Sequence, residues 1–449
     1  MDTDYWCQIT AQGRLYRPRI DVFLNYWLTM KLLREVPSDR VFTDFRDRAL
    51  PAAHSLADLL AELAADAKIY ATLDSLSGES VPGRFYYRAI QALDTRSLTP
   101  VFLWLLRWSS EDLPQDQRDR ALLAIESWLI RRTLARLTGK NVNLFMLELL
   151  KALDESGPSS AGERTEDFLA AQGADSRLWP DDDLVRTSLE RAPVYTALLR
   201  ARTRMILEVL EDDLRSEFGE GQPAPRGLTV EHILPQSWAA NWPLESSDPE
   251  ARLIRDRLVH RLGNLTLVSG KLNPALSNRP WTHEAGDGKR DYLLEHSSLK
   301  LNARVVAEHP QAWTEEDIRL RTAALTERLL ALWPRPTTAR PTPAAPDATP
   351  PADAHEAVSE TDEDVHAEGH EGKYRLLWQW LSRQPGDVIE LTFLQMEGIL
   401  GFLLPASCRT HLPHWYGAKG SAVARAIQDA GWKASKVSLE REHVTFIRQ

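Results

Sequence analysis

The amino-acid sequence predicts a mainly α-helical chain with one small ββα core set into it and a separate small α+β domain toward its C-terminal end. Three observations lead there. Apolar residues recur every three to four positions through residues 1–220, with few strand signals and no glycine-rich phosphate loop. A short β-branched stretch ending in Glu231-His232, a tight-turn Gly263 followed by Asn264, and Asn273 nine residues later fit a hairpin followed by a helix. A proline-rich, then acidic stretch at 334–372 sets off a last segment with its own apolar pattern.

Residues 1–220 are expected to form a helical scaffold. The stretches 22–33 (VFLNYWLTMKLL), 54–73, 101–109 and 120–137 each carry an apolar stripe and should pack as a bundle. Trp104, Trp108 and Trp128 lie in these stripes, where aromatic residues belong to the core. Residues 194–214 (VYTALLRARTRMILEVLEDDL) predict one long helix, whose Arg200, Arg202 and Arg204 either solvate its surface or touch a phosphate. Residues 221–333 hold the ββα core and a closing helix. Residues 334–372 carry nine acidic residues against Arg335 and Arg340, a balance of −7, and predict an extended, disordered linker.

Residues 373–449 then give a helix (KYRLLWQWLSR), a strand (DVIEL), two helices (TFLQMEGILG and SAVARAIQDAGW) and a hairpin (KVSLEREHVTFIR), an order that suggests a winged-helix-like unit with a recognition or regulatory role. Its balance is +4. Arg409, His411, His414, Trp415 and Lys419 cluster before its third helix, either as a nucleic-acid contact or as a loop pinned into the core by Trp415.

A net charge of −10 hides an uneven distribution. From Arg252 to Arg290, eight basic residues face three acidic ones, a local +5 that would attract a phosphate backbone. Arg252, Arg255 and Arg257 alternatively do no more than solvate a helix face. No run approaches a membrane span, and the stretch MDTDYWCQITAQGRLYRPRI has early acids and no continuous apolar segment, so neither membrane nor export is expected and the setting is cytoplasmic. Cys7 and Cys408 stand far apart, which excludes a disulfide framework and a CxxC zinc knuckle.

The chemistry concentrates between Thr229 and Asn278, in TVEHILPQSW and LVHRLGNLTLVSGKLNPALSN. Hydrolysing a phosphodiester needs a proton acceptor for water, and the imidazole of His232 can serve. It also needs a hard cation, and Glu231 with the amide oxygen of Asn273 could supply oxygen donors to Mg²⁺ while the ion keeps several waters. Asn264, short and able both to donate and to accept, would brace His232.

This layout resembles the ββα-metal fold of HNH endonucleases. The wording EHILPQSW and HRLGNLTLVSGKLN, with Asn278, Trp281 and Lys289 downstream, resembles more narrowly the C-terminal HNH domain of GmrSD-type modification-dependent restriction endonucleases, over roughly residues 190–300. The resemblance implies cleavage of foreign or modified DNA in anti-phage defence with Mg²⁺, Mn²⁺ or another divalent cation. His232 and Asn264 are then the catalytic residues and Glu231 and Asn273 the metal ligands. Arg261, Lys271, Asn278, Arg279 and Lys289 are the candidates for holding substrate, a solvated surface lysine being the plainer role for Lys289. Full-length members resemble a fusion to a nucleotide-hydrolysing sensor domain marked by a DGQQR-like signature. That signature is absent here, as is GxxxxGK[ST], the nearest glycine-lysine pair being Gly139-Lys140 followed by Asn141. Either the sensor is a separate subunit or another module replaces it. The competing function is a DNA-binding effector or adaptor with little nuclease activity of its own.

Overall fold

Ser55 starts the helix Leu56–Thr72 by accepting the Asp58 amide, one instance of the local rules that build the helical part of the chain. In the computed structural model the described residues are 3–336, apart from 13–14, 218, 220–222, 245–248 and 285, and 374–448, apart from 385, 440–441 and stretches within 401–421. The linker expected at 334–372 lies almost wholly outside them. Contacts divide the chain into two compact units, Met1–Leu189 with Val194–Ala345, and Glu190–Pro193 with Pro346–Gln449.

The first unit opens with a small antiparallel pair, β1 (Ile9–Gln12) and β2 (Leu15–Pro18), and continues through the helices Arg19–Leu32, Leu56–Thr72, Thr99–Leu106, Gln115–Leu134, Val142–Ser156 and Ala161–Ala170. Thr99–Leu106 is buried almost all round. Trp104 and Trp128 are core residues, as their spacing predicts, whereas Trp108 is only half-buried. The expected single helix over 194–214 is instead a four-residue helix, Val194–Ala197, and a longer one, Arg200–Ser216, with Leu199 in extended conformation between them. Apolar periodicity runs across this break, so the pattern alone could not show it.

Two short strands, β3 (Thr229–His232) and β4 (Leu265–Val268), pair antiparallel with Glu231 opposite Thr266 and His232 opposite Leu265. They are not joined by a tight turn. The intervening residues carry the helix Pro249–Leu258. The short helix Leu272–Leu276 follows β4, and the helices Lys289–His296, Lys300–Glu308 and Glu315–Leu332 close the unit. Ile233, Leu234, Trp238, Trp242, Trp281, Trp313 and Ile318 form the local core.

Gly263 shows why the closing helix fits. A Cβ there would lie 2.1 Å from Ile318 O and 2.5 Å from Thr322 Oγ1, so only glycine allows the turn Leu262–Asn264 to touch that helix. Arg321 donates from the same helix to Gly263 O at 2.6 Å and Leu265 O at 2.8 Å. At its far end Trp333 donates to Glu126 at 2.7 Å, and Ser127 and Arg131 donate to Trp333 O. The scaffold and the strand pair thus share one interior.

In the second unit the helix Arg375–Ser382, β5 (Val388–Thr392), the helices Phe393–Leu400 and Ala422–Asp429, β6 (Trp432–Ser438) and β7 (His443–Arg448) follow in the expected order. The strands form one antiparallel sheet, β5-β7-β6. Trp415 is fully buried, stacks on Phe393 at 5.0 Å and donates to Cys408 O, so it is a core residue. Arg409, His411, His414 and Lys419 of the sequence cluster lie outside the described residues. No helix among the described residues is long and apolar enough to cross a membrane.

Candidate functional site

Strand β3 ends with Glu231 and His232, and the chain then turns inward through the buried Ile233 and Leu234. Asn264 holds that turn. Its Oδ1 accepts from Leu234 N at 2.8 Å and from Trp313 Nε1 at 3.1 Å, and its Nδ2 donates to Leu234 O and Val259 O, both at 2.8 Å. Its backbone carbonyl takes Ile233 N at 2.9 Å. Asn264 is fully buried and sits in the turn just before β4, not on that strand. Its amide braces the backbone directly after His232 and makes no hydrogen bond to the imidazole among the described residues.

His232 is 5% exposed. Its Nδ1 lies 3.5 Å from Gln236 Nε2, and its Nε2 is buried with no hydrogen-bond partner among the described residues. The Tyr195 ring meets it edge-on at 4.3 Å, and His260 lies 5.5 Å away, stacked on Tyr195. Burial, helped by the neighbouring His260 and the cationic Lys289, pushes the imidazole down to about 3, so it is neutral at physiological pH.

Lys289 is not a solvated surface lysine. It is 1% exposed and donates at 2.6 Å to Glu231 Oε1 and at 2.6 Å to His232 O. Burial pulls its ammonium downward and pushes the Glu231 carboxyl upward, each opposed by the other's charge. Gly288 permits this approach, because a Cβ there would lie 2.5 Å from Trp281 O. Lys289 N bonds to Pro280 O at 2.8 Å and folds the loop before it back on itself.

Asn273, on the short helix, is half-buried and donates to Thr229 Oγ1 at 3.0 Å, which fastens it to β3. Glu231, His232, Asn264, Asn273 and Lys289 are therefore all tied to one strand or the turn after it. The remaining candidates are not gathered there. Lys271 and Asn278 are exposed, and Asn278 offers its carbonyl to Asn241. Arg279 is engaged by Asp287 at 2.8 Å and lies over the Tyr292 ring at 4.5 Å. Arg261 is half-buried beside the turn. Arg255 does not solvate a helix face. It is buried, pairs with Glu315, donates to Trp242 O and lies over Trp238, while Arg252 and Arg257 stay exposed.

The donor set suits a hard, largely hydrated cation. The Lys289 contact engages one carboxylate oxygen of Glu231, and Asn273 uses its amide nitrogen on Thr229. Among the described residues no group of three or more His, Cys, Asp or Glu could hold a metal. Tyr195 and His260 escaped sequence reasoning. His260 stands inside the LVHRLGN motif and could have been flagged, but Tyr195 comes from 37 positions upstream with no local signal.

Residues 179–328 match the family described as GmrSD restriction endonucleases, C-terminal domain, and residues 374–449 match a family described as a domain of unknown function (DUF7662). No curated protein matches the chain.

Proposed function

Because residues 179–328 belong to the GmrSD restriction endonuclease C-terminal domain family, we propose that the protein is an HNH-type endonuclease that hydrolyses DNA phosphodiester bonds to restrict foreign or modified DNA. The observation that supports this reading is the Nε2 of His232, the residue after Glu231, which is buried and has no hydrogen-bond partner among the described residues. A polar atom in that state costs free energy unless a water or substrate atom meets it.

His232 is the proposed base. It is neutral at physiological pH and its Nε2 takes the proton of the attacking water. Its low basicity in the isolated protein rises when an anionic phosphate approaches, since nearby negative charge favours the imidazolium. Asn264 fixes the backbone behind the ring, and the Tyr195 edge limits its rotation. Lys289 orients the Glu231 carboxylate, and Glu231 with the Asn273 amide oxygen would hold Mg²⁺ or Mn²⁺. Such an ion supplies Lewis-acid stabilisation of charge on the phosphoryl and leaving oxygens. Exposed Arg252, Arg257 and Lys271 supply positive surface to the DNA backbone.

A supercoiled-plasmid assay with Mg²⁺ or Mn²⁺ and an EDTA control tests this. Metal-dependent nicking that the His232→Ala variant lacks supports it. Absence of cleavage together with retained DNA binding points to the adaptor reading instead.

A further inference from the structure

A cavity of about 750 Å³ opens inside the helical scaffold, within the size range of small-ligand sites. Four arginines line it, Arg96, Arg132, Arg136 and Arg202, against two acids, Glu35 and Asp94. Arg132 is 4% exposed, and its guanidinium donates to three backbone carbonyls, Asp175 O, Leu178 O and Thr138 O. Arg202 donates to Leu93 O at 2.8 Å, and its Nε is buried with no hydrogen-bond partner among the described residues. Neither has a carboxylate within ion-pair distance among the described residues. Guanidinium charge held by neutral carbonyls and, for Arg132, by the Trp128 ring 4.9 Å away is costly to bury without a counter-charge, and an anion in the cavity would offset that cost.

A helix start in the lining adds to the same field. The helix Val142–Ser156 starts at Asn141, in left-handed conformation and without a side-chain cap, and its first residues Val142 and Asn143 line the cavity. Uncapped amides at a helix start attract phosphate oxygens. Tyr26 and Trp128 give the cavity aromatic surface as well as charge.

We propose that this cavity binds a phosphate-bearing small molecule of mononucleotide size, its phosphate held by Arg132 and Arg202 and its apolar part by the aromatic wall. Ala197 and Leu198 line the cavity, and Tyr195, two residues earlier, packs on His232. One segment thus serves both places.

The test is calorimetric titration of the full-length protein with inorganic phosphate, pyrophosphate, nucleoside monophosphates and nucleoside triphosphates, with citrate as an anion control. Saturable binding of one nucleoside phosphate per chain, tighter than citrate and weakened tenfold or more by Arg202→Met, is the expected result. Ser97→Glu, which sets a carboxylate on the cavity wall and leaves every arginine in place, should weaken it likewise, with unfolding curves confirming that both variants fold. Pyrophosphate or phosphate binding as tightly as any nucleotide would overturn the mononucleotide assignment. No binding, or binding that folded Arg202→Met and Ser97→Glu leave unchanged, would overturn the site.

Discussion

His232 is buried enough that its protonation couples to folding. In the unfolded chain an imidazole titrates near 6.5, and in the folded protein this one is pushed down to about 3. Below pH 6.5 the unfolded chain takes up a proton that the folded chain refuses, so stability is fully present above 6.5 and is lost as pH falls toward 3. The slope is up to about 1.4 kcal/mol per pH unit for this one group. Urea unfolding in EDTA at pH 7, 6 and 5 should show a shallower decline for His232→Phe than for the native sequence, and equal slopes would refute the burial argument. In catalysis, His232→Ala should cost ~10² to 10⁴ in cleavage rate while DNA affinity by gel shift is retained. Asn273→Ala should raise the Mg²⁺ concentration at half-maximal rate, and an unchanged metal titration would point to another ligand. The residue types of this site were legible because Glu-His and Gly-Asn stand in short local motifs. The burial of Lys289 was not, since it depends on Gly288 and Pro280 folding the intervening loop back on itself.

At the scale of elements, the strands, their order and the short helix after them follow from β-branched and turn residues within the motif itself. The turn Leu262–Asn264 was legible as a turn but not for its cause. Gly263 is required by the approach of Ile318 and Thr322, which arrive more than fifty positions later. Gly263→Ala should therefore lower stability by about 1–3 kcal/mol, the range for overpacking, with the closing helix displaced. Thermal unfolding reads the first effect and loss of cleavage the second; a native melting curve would contradict the packing. The break at Leu198–Leu199 was invisible because alternating apolar and basic residues keep helical spacing through it, and the Tyr195 amide is held instead by His260 O at 3.1 Å. Arg255 misled for the same reason: a helix-face arginine looks solvated until Glu315 and Trp238 are seen beside it.

At the scale of the whole molecule, the chain was divisible by composition, and the second unit followed its forecast order because each of its elements is short and strongly patterned. A chain ended after Pro336 keeps the contacts of Trp333 and Pro334 with Ser127 and Arg131. It should retain metal-dependent nicking at high enzyme concentration and lose DNA affinity or selectivity, as measured at two salt concentrations. Identical behaviour of the two forms would make residues 374–449 a protein-interaction module.

The union of Trp333 with Glu126 spans 207 positions of sequence. It sets a schedule during synthesis. A ribosome adding roughly 5–20 residues per second makes β3 many seconds before Lys289 and the closing helix exist to seat it. Until then Glu231 lacks its ammonium partner and the turn at Gly263 has nothing to rest on. A nascent chain thus carries its histidine and asparagines through the cell unassembled, and competence arrives in one late step, when the first helices of the scaffold receive the last.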